Sequence, residues 1–62
     1  MKVIVHHLPT GCKWEVNSDW ETEKLIEKKI APQEGFALQD TSGDVFFFSA
    51  DVIAQSVIKV IE

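Results

Sequence analysis

Apolar side chains are grouped in several short segments that are typical of β-strands. KWEV alternates charged and apolar residues, which is the period of a half-buried strand, and KVIVHHL is β-branched and too short for a helix. The segments KVIVHHL and KWEV lie on either side of Pro9-Thr10-Gly11, and GFALQ and DVFFF lie on either side of Asp40-Thr41-Ser42-Gly43. Proline and glycine at these positions favour turns. The pattern therefore predicts two β-hairpins, with strands at Lys2–Leu8, Lys13–Val16, Gly35–Gln39 and Asp44–Phe48.

The segment between the hairpins has the pattern of a helix. Ser18-Asp19-Trp20-Glu21 matches a capping box, in which the serine hydroxyl accepts from a helical amide and the glutamate reaches back. Pro32 disfavours helical backbone in the residue before it, so the helix is expected over Asp19–Ile30. At helical spacing, Trp20 falls nearly opposite a narrow stripe formed by Thr22, Leu25, Ile26, Lys29 and Ile30.

The tail from Ser49 to Glu62 is compatible with two structures. Its apolar residues could line one face of a helix, with Ser49 as the cap. The same residues are mostly β-branched, which favours a strand. The favoured interpretation is a short helical turn at Ala50–Ala54 followed by a strand at Ser56–Ile61.

The predicted order ββαβββ defines an α+β fold. It would form a small, antiparallel, strongly bent sheet or partial barrel with one helix across it. If the tail is helical, the order becomes ββαββα, a two-layer sandwich. Because the chain shows no linker, repeat or low-complexity tract, residues 1–62 are expected to form a single domain.

Length and cysteine content limit what can stabilise the fold and in which compartment the protein is expected. A 62-residue chain buries little surface, so small domains of this kind are commonly held by a disulfide, a metal or a partner chain. Cys12 is the only cysteine, which excludes a disulfide within the chain and is typical of a reducing compartment. No apolar stretch approaches the ~20 residues that span a bilayer. We therefore expect a cytoplasmic protein that does not enter the membrane.

The residues that could carry chemistry are few. His6, His7 and Cys12 are the candidate soft ligands, but adjacent strand residues face opposite sides, and a structural zinc site needs four ligands. The segment Asp40–Asp44 resembles part of a calcium loop, without the further oxygen ligands and the distal glutamate. We expect no catalytic, cofactor or metal site, and hence a protein that is not an enzyme.

The charges disfavour a nucleic-acid partner. The formal net charge is −4, and all six cations are lysines, whereas base recognition relies on the arginine fork. A small β-sheet that binds single-stranded nucleic acid through aromatic residues and lysines is kept as the alternative function.

The aromatic residues carry the leading functional prediction. Phe46 and Phe48 point to one side of their strand and Phe47 to the other, and Trp20 lies off the apolar stripe of the helix. Trp and Phe dominate protein contacts. We therefore expect a small protein-interaction module that binds another protein, or a second copy of itself, through an acidic and aromatic surface. The candidate partner-binding residues are Trp20, Phe47 and Trp14.

A competing interpretation assigns the same residues to the core. In it, Trp14 packs in the core or across the hairpin from the first strand, Trp20 folds back over the first hairpin, and Phe47 lies beneath the helix. Accessory factors of phages and other mobile elements are often of this size, and that class is an expectation by analogy alone.

Overall fold

Five β-strands and two short helical segments make up the chain in a computed structural model that describes all residues from Met1 to Glu62. The elements are β1 (Lys2–His7), β2 (Lys13–Asn17), α1 (Thr22–Leu25) continued by a π-helical turn (Ile26–Ile30), β3 (Gly35–Gln39), β4 (Val45–Ser49), α2 (Ala50–Ala54) and β5 (Ser56–Ile61). The predicted α+β fold with the order ββαβββ is confirmed, and the tail forms a helical turn and a strand rather than one helix.

The first sheet has three antiparallel strands in the order β2-β1-β5. Val3 lies opposite Val16 on β2 and Val60 on β5, so the central strand is paired on both sides. Alternation along β1 directs Val3 and Val5 inward, where both are fully buried. Ile4, which lies between them and is equally apolar, is only half-buried, so tertiary packing decides which face of this sheet covers the core.

The second sheet is the antiparallel hairpin of β3 and β4. The strands thus form two sheets instead of the one bent sheet that the sequence suggested. The Asp40 amide donates to the Asp44 carbonyl, and the Gly43 amide donates to the Asp40 carbonyl. Gly43 has a φ of +100°. This tight connection, with a glycine at the residue of positive φ, agrees with the turn predicted from the sequence.

The main helix begins later than predicted, and the prediction of a capping box at its start is wrong. α1 begins at Thr22 with Glu21 as its N-cap, and no side chain caps it. The Ser18 amide donates to the Met1 carbonyl at 2.9 Å, so the pairing of the first two strands extends to Ser18. The Ser18 hydroxyl instead accepts from the Trp20 amide at 3.1 Å. Since Ser18 is held at the end of β2, it is not free to cap the helix.

The second half of the helix is wider than an α-helix. The Ala31 amide donates to the Ile26 carbonyl, five residues earlier, as expected for a π turn. Leu25 is fully buried, whereas Ile26 is exposed, although the predicted stripe placed both toward the core. Adjacent residues of a helix point about 100° apart, so the core covers Leu25 without covering Ile26. The helical segment ends before Pro32, as predicted.

The core lies between the two sheets, the helix and α2. The ring of Phe48 is central: its centroid lies 5.8 Å from Trp14 in an edge-to-face contact and 5.7 Å from Phe36. The buried apolar side chains are Val3, Val5, Val16, Leu25, Phe36, Leu38, Phe48 and Ile53. Every element except the π turn and β5 contributes to this cluster, and half-buried Ile58 and Val60 of β5 pack against it. None of the helices is long and apolar enough to cross a membrane.

Candidate protein-interaction surface

The outer face of the β3–β4 hairpin carries the most exposed large apolar side chains of the chain. Alternation along β4 sends Phe48 into the core and turns Val45 and Phe47 outward, where 66% and 74% of their surfaces are exposed. Ala37 lies opposite Phe47, and Gln39 lies opposite Val45. We call these four residues the hairpin face. Phe47 does not lie beneath the helix, so the core interpretation fails for this residue.

Trp20 lines a shallow cleft beside that hairpin. The cleft has a volume of about 330 Å³, and its lining residues are Asp19, Trp20, Gln39, Asp40, Thr41 and Gly43. Trp20 is 40% exposed, and the Lys29 ammonium lies 5.1 Å from its ring centroid in a cation–π arrangement. Trp20 thus lines a cleft with the β3–β4 turn, at the opposite end of β2 from the turn of the first hairpin. We call this feature the Trp20 cleft.

Asp40 fixes one wall of the Trp20 cleft. Its carboxylate accepts from the Asn17 amide at 3.0 Å and from the Ser42 amide at 2.9 Å. The Thr41 amide donates to the Asn17 carbonyl, so the turn is bonded to the end of β2 in both directions. These hydrogen bonds, the Asn17 amide first, lower the pKa of Asp40 below its ordinary value of 3.8. The aspartate therefore serves the turn, which explains the partial resemblance to a calcium loop.

Gln39 joins the two features into one surface. It belongs to the hairpin face opposite Val45 and also lines the Trp20 cleft. Its side-chain amide reaches the Gly43 carbonyl at 3.5 Å, at the limit of a hydrogen bond. A partner that covers Phe47 and Val45 would therefore also contact the Trp20 cleft at one end of the same surface. The cleft offers it the indole of Trp20 and the carboxylates of Asp19 and Asp40.

Trp14 is not part of this surface. It lies on the core side of β2, half-buried, with its ring against Phe48. Of the three residues singled out from the sequence, the structure thus brings Trp20 and Phe47 to the outside and packs Trp14 against the core. Val45, Gln39 and Asp40 were missed. The period of β4 was a sufficient signal for Val45, because it shares a face with Phe47.

The histidines and the cysteine lie at the other end of the first hairpin. The His7 Nδ1 atom lies 2.8 Å from the Thr10 hydroxyl, and the same hydroxyl accepts from the Cys12 amide. Cys12 is exposed and free. No three histidine, cysteine or acidic side chains lie close enough together to hold a metal ion. These hydrogen bonds give His7 and Thr10 a structural role in the β1–β2 turn.

The charges are divided unevenly between the two halves of the molecule. The segment 34–55, which contains β3, β4 and α2, has four carboxylates and no lysine: Glu34, Asp40, Asp44 and Asp51. All six lysines lie in the first sheet and the helix. The hairpin face is therefore apolar at its centre and acidic at its borders.

No protein-family model, curated protein or solved structure matches this chain.

Proposed function

We propose that this chain is a small, non-enzymatic protein-interaction module that binds another protein through the hairpin face and the Trp20 cleft. The observation that carries the proposal is the exposure of Phe47, 74%, on the same face as the exposed Val45. Because Phe36 and Phe48 already fill the core, Phe47 contributes little to folding. Burying it in an interface would gain about 2 kcal/mol.

The chemistry of the surface agrees with known interfaces. Aromatic residues are enriched at the centres of protein interfaces, and polar or charged residues surround them. Here Phe47 and Trp20 supply the aromatic anchors, and Asp19 and Asp40 supply the polar border. A partner with basic residues around an apolar centre would complement this arrangement.

Self-association is a less favourable use of the same surface. A second copy of the chain would bring the carboxylates of segment 34–55 toward those of its partner, where like charges repel. Single-stranded nucleic acid is also disfavoured, because Lys29 is the one cation over the Trp20 ring and the cleft itself is lined by two carboxylates.

The cytoplasm is the compartment that we propose for this activity. Cys12 is the only cysteine of the chain, and it is exposed and unpaired. An exposed thiol of this kind persists in a reducing environment.

Affinity capture with matched variants tests the proposal. The tagged wild type, Phe47→Ser and Leu8→Ser would each be incubated with an extract of the source cells. Leu8 is the control because it is also an exposed large apolar residue, but lies beside the β1–β2 turn, away from the hairpin face. We expect wild type and Leu8→Ser to retain the same protein, and Phe47→Ser to lose it by about tenfold or more. Equal retention by all three forms would contradict the proposal.

Two solution measurements separate the alternative partners. Sedimentation equilibrium at micromolar concentration should show a monomer, and a dimer that Phe47→Ser abolishes would assign the surface to a second copy instead. Titration with a single-stranded oligonucleotide at low salt should leave the tryptophan fluorescence unchanged. Quenching that Trp20→Ser removes would favour the nucleic-acid function.

A further inference from the structure

The backbone of β4 is open along one edge. The hydrogen bond from the Asp40 amide to the Asp44 carbonyl sets the phase of the β3–β4 ladder, in which bonded pairs recur at every second residue. The even-numbered residues of β4 therefore bond to β3, and the amides and carbonyls of Val45 and Phe47 point away from it. No other backbone group bonds these two residues, since β4 pairs with β3 alone.

The edges of the three-stranded sheet differ from β4 in their side chains. β2 presents Lys13 and Glu15, and β5 presents Lys59 in the middle of the strand. Charged residues, lysine above all, are a common means by which edge strands avoid pairing with other chains. β4 has no charged side chain between Val45 and Ser49. β3 has none either, but it packs against β2 and the π-helical turn, so β4 is the open edge that lacks this protection.

The charges around β4 indicate what could pair with it. Asp44 precedes the strand, and Asp51 lies in the first turn of α2 directly after it. No lysine lies anywhere in segment 34–55. A strand laid along β4 would therefore meet carboxylates at both ends and apolar side chains between them.

We propose that β4 accepts an extended, basic segment of the partner protein as an additional strand of the β3–β4 sheet. The segment has lysine or arginine near its ends and apolar residues at alternating positions, which pack on Val45 and Phe47. Main-chain hydrogen bonds supply the affinity of such strand addition, and the alternate side chains supply its specificity. This inference rests on the proposed function, because it names the binding mode of the same surface.

A displayed library of random peptides of about twelve residues, enough for one strand with flanks, provides the probe. Selection against the wild-type chain should enrich peptides with basic ends and alternating apolar residues. Binding should be about five- to tenfold weaker in Val45→Pro, which removes an outward amide, than in Val45→Thr, which keeps that amide on a side chain of similar shape. In hydrogen exchange, the bound peptide should slow the amides of Val45 and Phe47.

A second variant protects the test against misfolding of Val45→Pro. The chain is short enough for chemical synthesis, and replacement of the Phe47 amide by an ester removes one outward donor while the phenyl ring stays. We expect this ester form to weaken binding as Val45→Pro does. Circular dichroism and thermal unfolding would establish that both variants are folded.

The possible failures of the two proposals can be told apart. Peptides that need Phe47 but bind Val45→Pro and the ester form normally would overturn strand addition and leave the proposed function intact. A library that yields no binder would overturn strand addition, while the capture experiment still tests the proposed function by itself. Protection of the same amides with rising protein concentration alone would show that a second copy occupies the edge.

Discussion

The backbone around position 35 requires a glycine there. The φ of Gly35 is +84°, and a Cβ atom at this position would lie 2.8 Å from the Ala50 amide nitrogen and the Phe48 carbonyl oxygen. Gly11 also has a positive φ, +73°, but nothing lies within 4 Å of its Cβ position. Both glycines tolerate a backbone conformation that other residues avoid. Only Gly35 is in addition pressed against the backbone where β4 meets α2.

We therefore predict that Gly35→Ala destabilises the fold by about 3 kcal/mol, since strain and a forced backbone shift add together. Gly11→Ala should cost about 1 kcal/mol, from strain alone. Urea denaturation of the two variants would measure the difference. Equal losses would show that β3 does not approach α2 as closely as the structure has it.

Asp40 gives the fold a dependence on pH. Hydrogen bonds from the Asn17 and Ser42 amides lower the pKa of its carboxyl in the folded state below 3.8, the ordinary value that applies to the unfolded chain. Its stabilising contribution is therefore fully present above that value and is lost as the pH falls through the folded pKa. The Asp40→Asn variant keeps an oxygen acceptor without a charge that titrates.

We predict that wild type loses more stability than Asp40→Asn between about pH 5 and about pH 2. Denaturation midpoints of both proteins across this range provide the measurement. Parallel curves would mean that the carboxylate of Asp40 is not bonded to the end of β2.

At the scale of elements, the start of the helix has the sequence of a capping box, but the folded chain uses its serine in another way. Ser18 and Glu21 have the spacing of a capping box, yet the serine belongs to the end of the β1–β2 ladder and bonds the Trp20 amide. We predict that Ser18→Ala costs about 1 to 2 kcal/mol, because it leaves that amide without its partner. Glu21→Ala should change stability by no more than about 0.5 kcal/mol. Thermal unfolding of the two variants would measure these losses of stability. Similar losses would indicate that Ser18 and Glu21 act together as a capping box.

The tail illustrates an element that local pattern described well. Ser49 caps α2, with its hydroxyl accepting from the Val52 amide, and β5 follows after Gln55. The β-branched residues of β5 pair with β1, which places Ile58 opposite Val5. As a continued helix, the same segment would have left Ile58 on the wet side. The β-propensity of these residues thus outweighed their helical spacing, and the prediction of a turn and a strand was confirmed.

At the scale of the whole molecule, neighbouring phenylalanines of β4 have opposite roles. Phe48 is buried against Trp14 and Phe36, whereas Phe47 points outward. We predict that Phe48→Ala destabilises the fold by about 3 to 5 kcal/mol. Phe47→Ala should change stability by less than about 1 kcal/mol, while it removes partner binding under the proposed function. A large loss of stability in Phe47→Ala would place this side chain in the core.

The sequence by itself determined the strands and which of their side chains share a face. Val3 shares a face with Val5, and Phe46 with Phe48, because successive residues of a strand point to opposite sides. The sequence also determined the turns, the end of the helix before Pro32 and the uneven distribution of charge. These features depend on residues close together in the chain, so local physical chemistry is enough to read them.

Only the tertiary structure decided how the strands are divided and which surface they leave open. The pairing of β1 with β5 across most of the chain creates one sheet and leaves β3 and β4 as another. The bonds of Asp40 and Thr41 to Asn17 place the Trp20 cleft beside the hairpin face. Trp14 and Phe47 look alike in the sequence, and long-range packing sends one toward the core and the other into solvent. Such choices depend on contacts between distant residues, which no local pattern records.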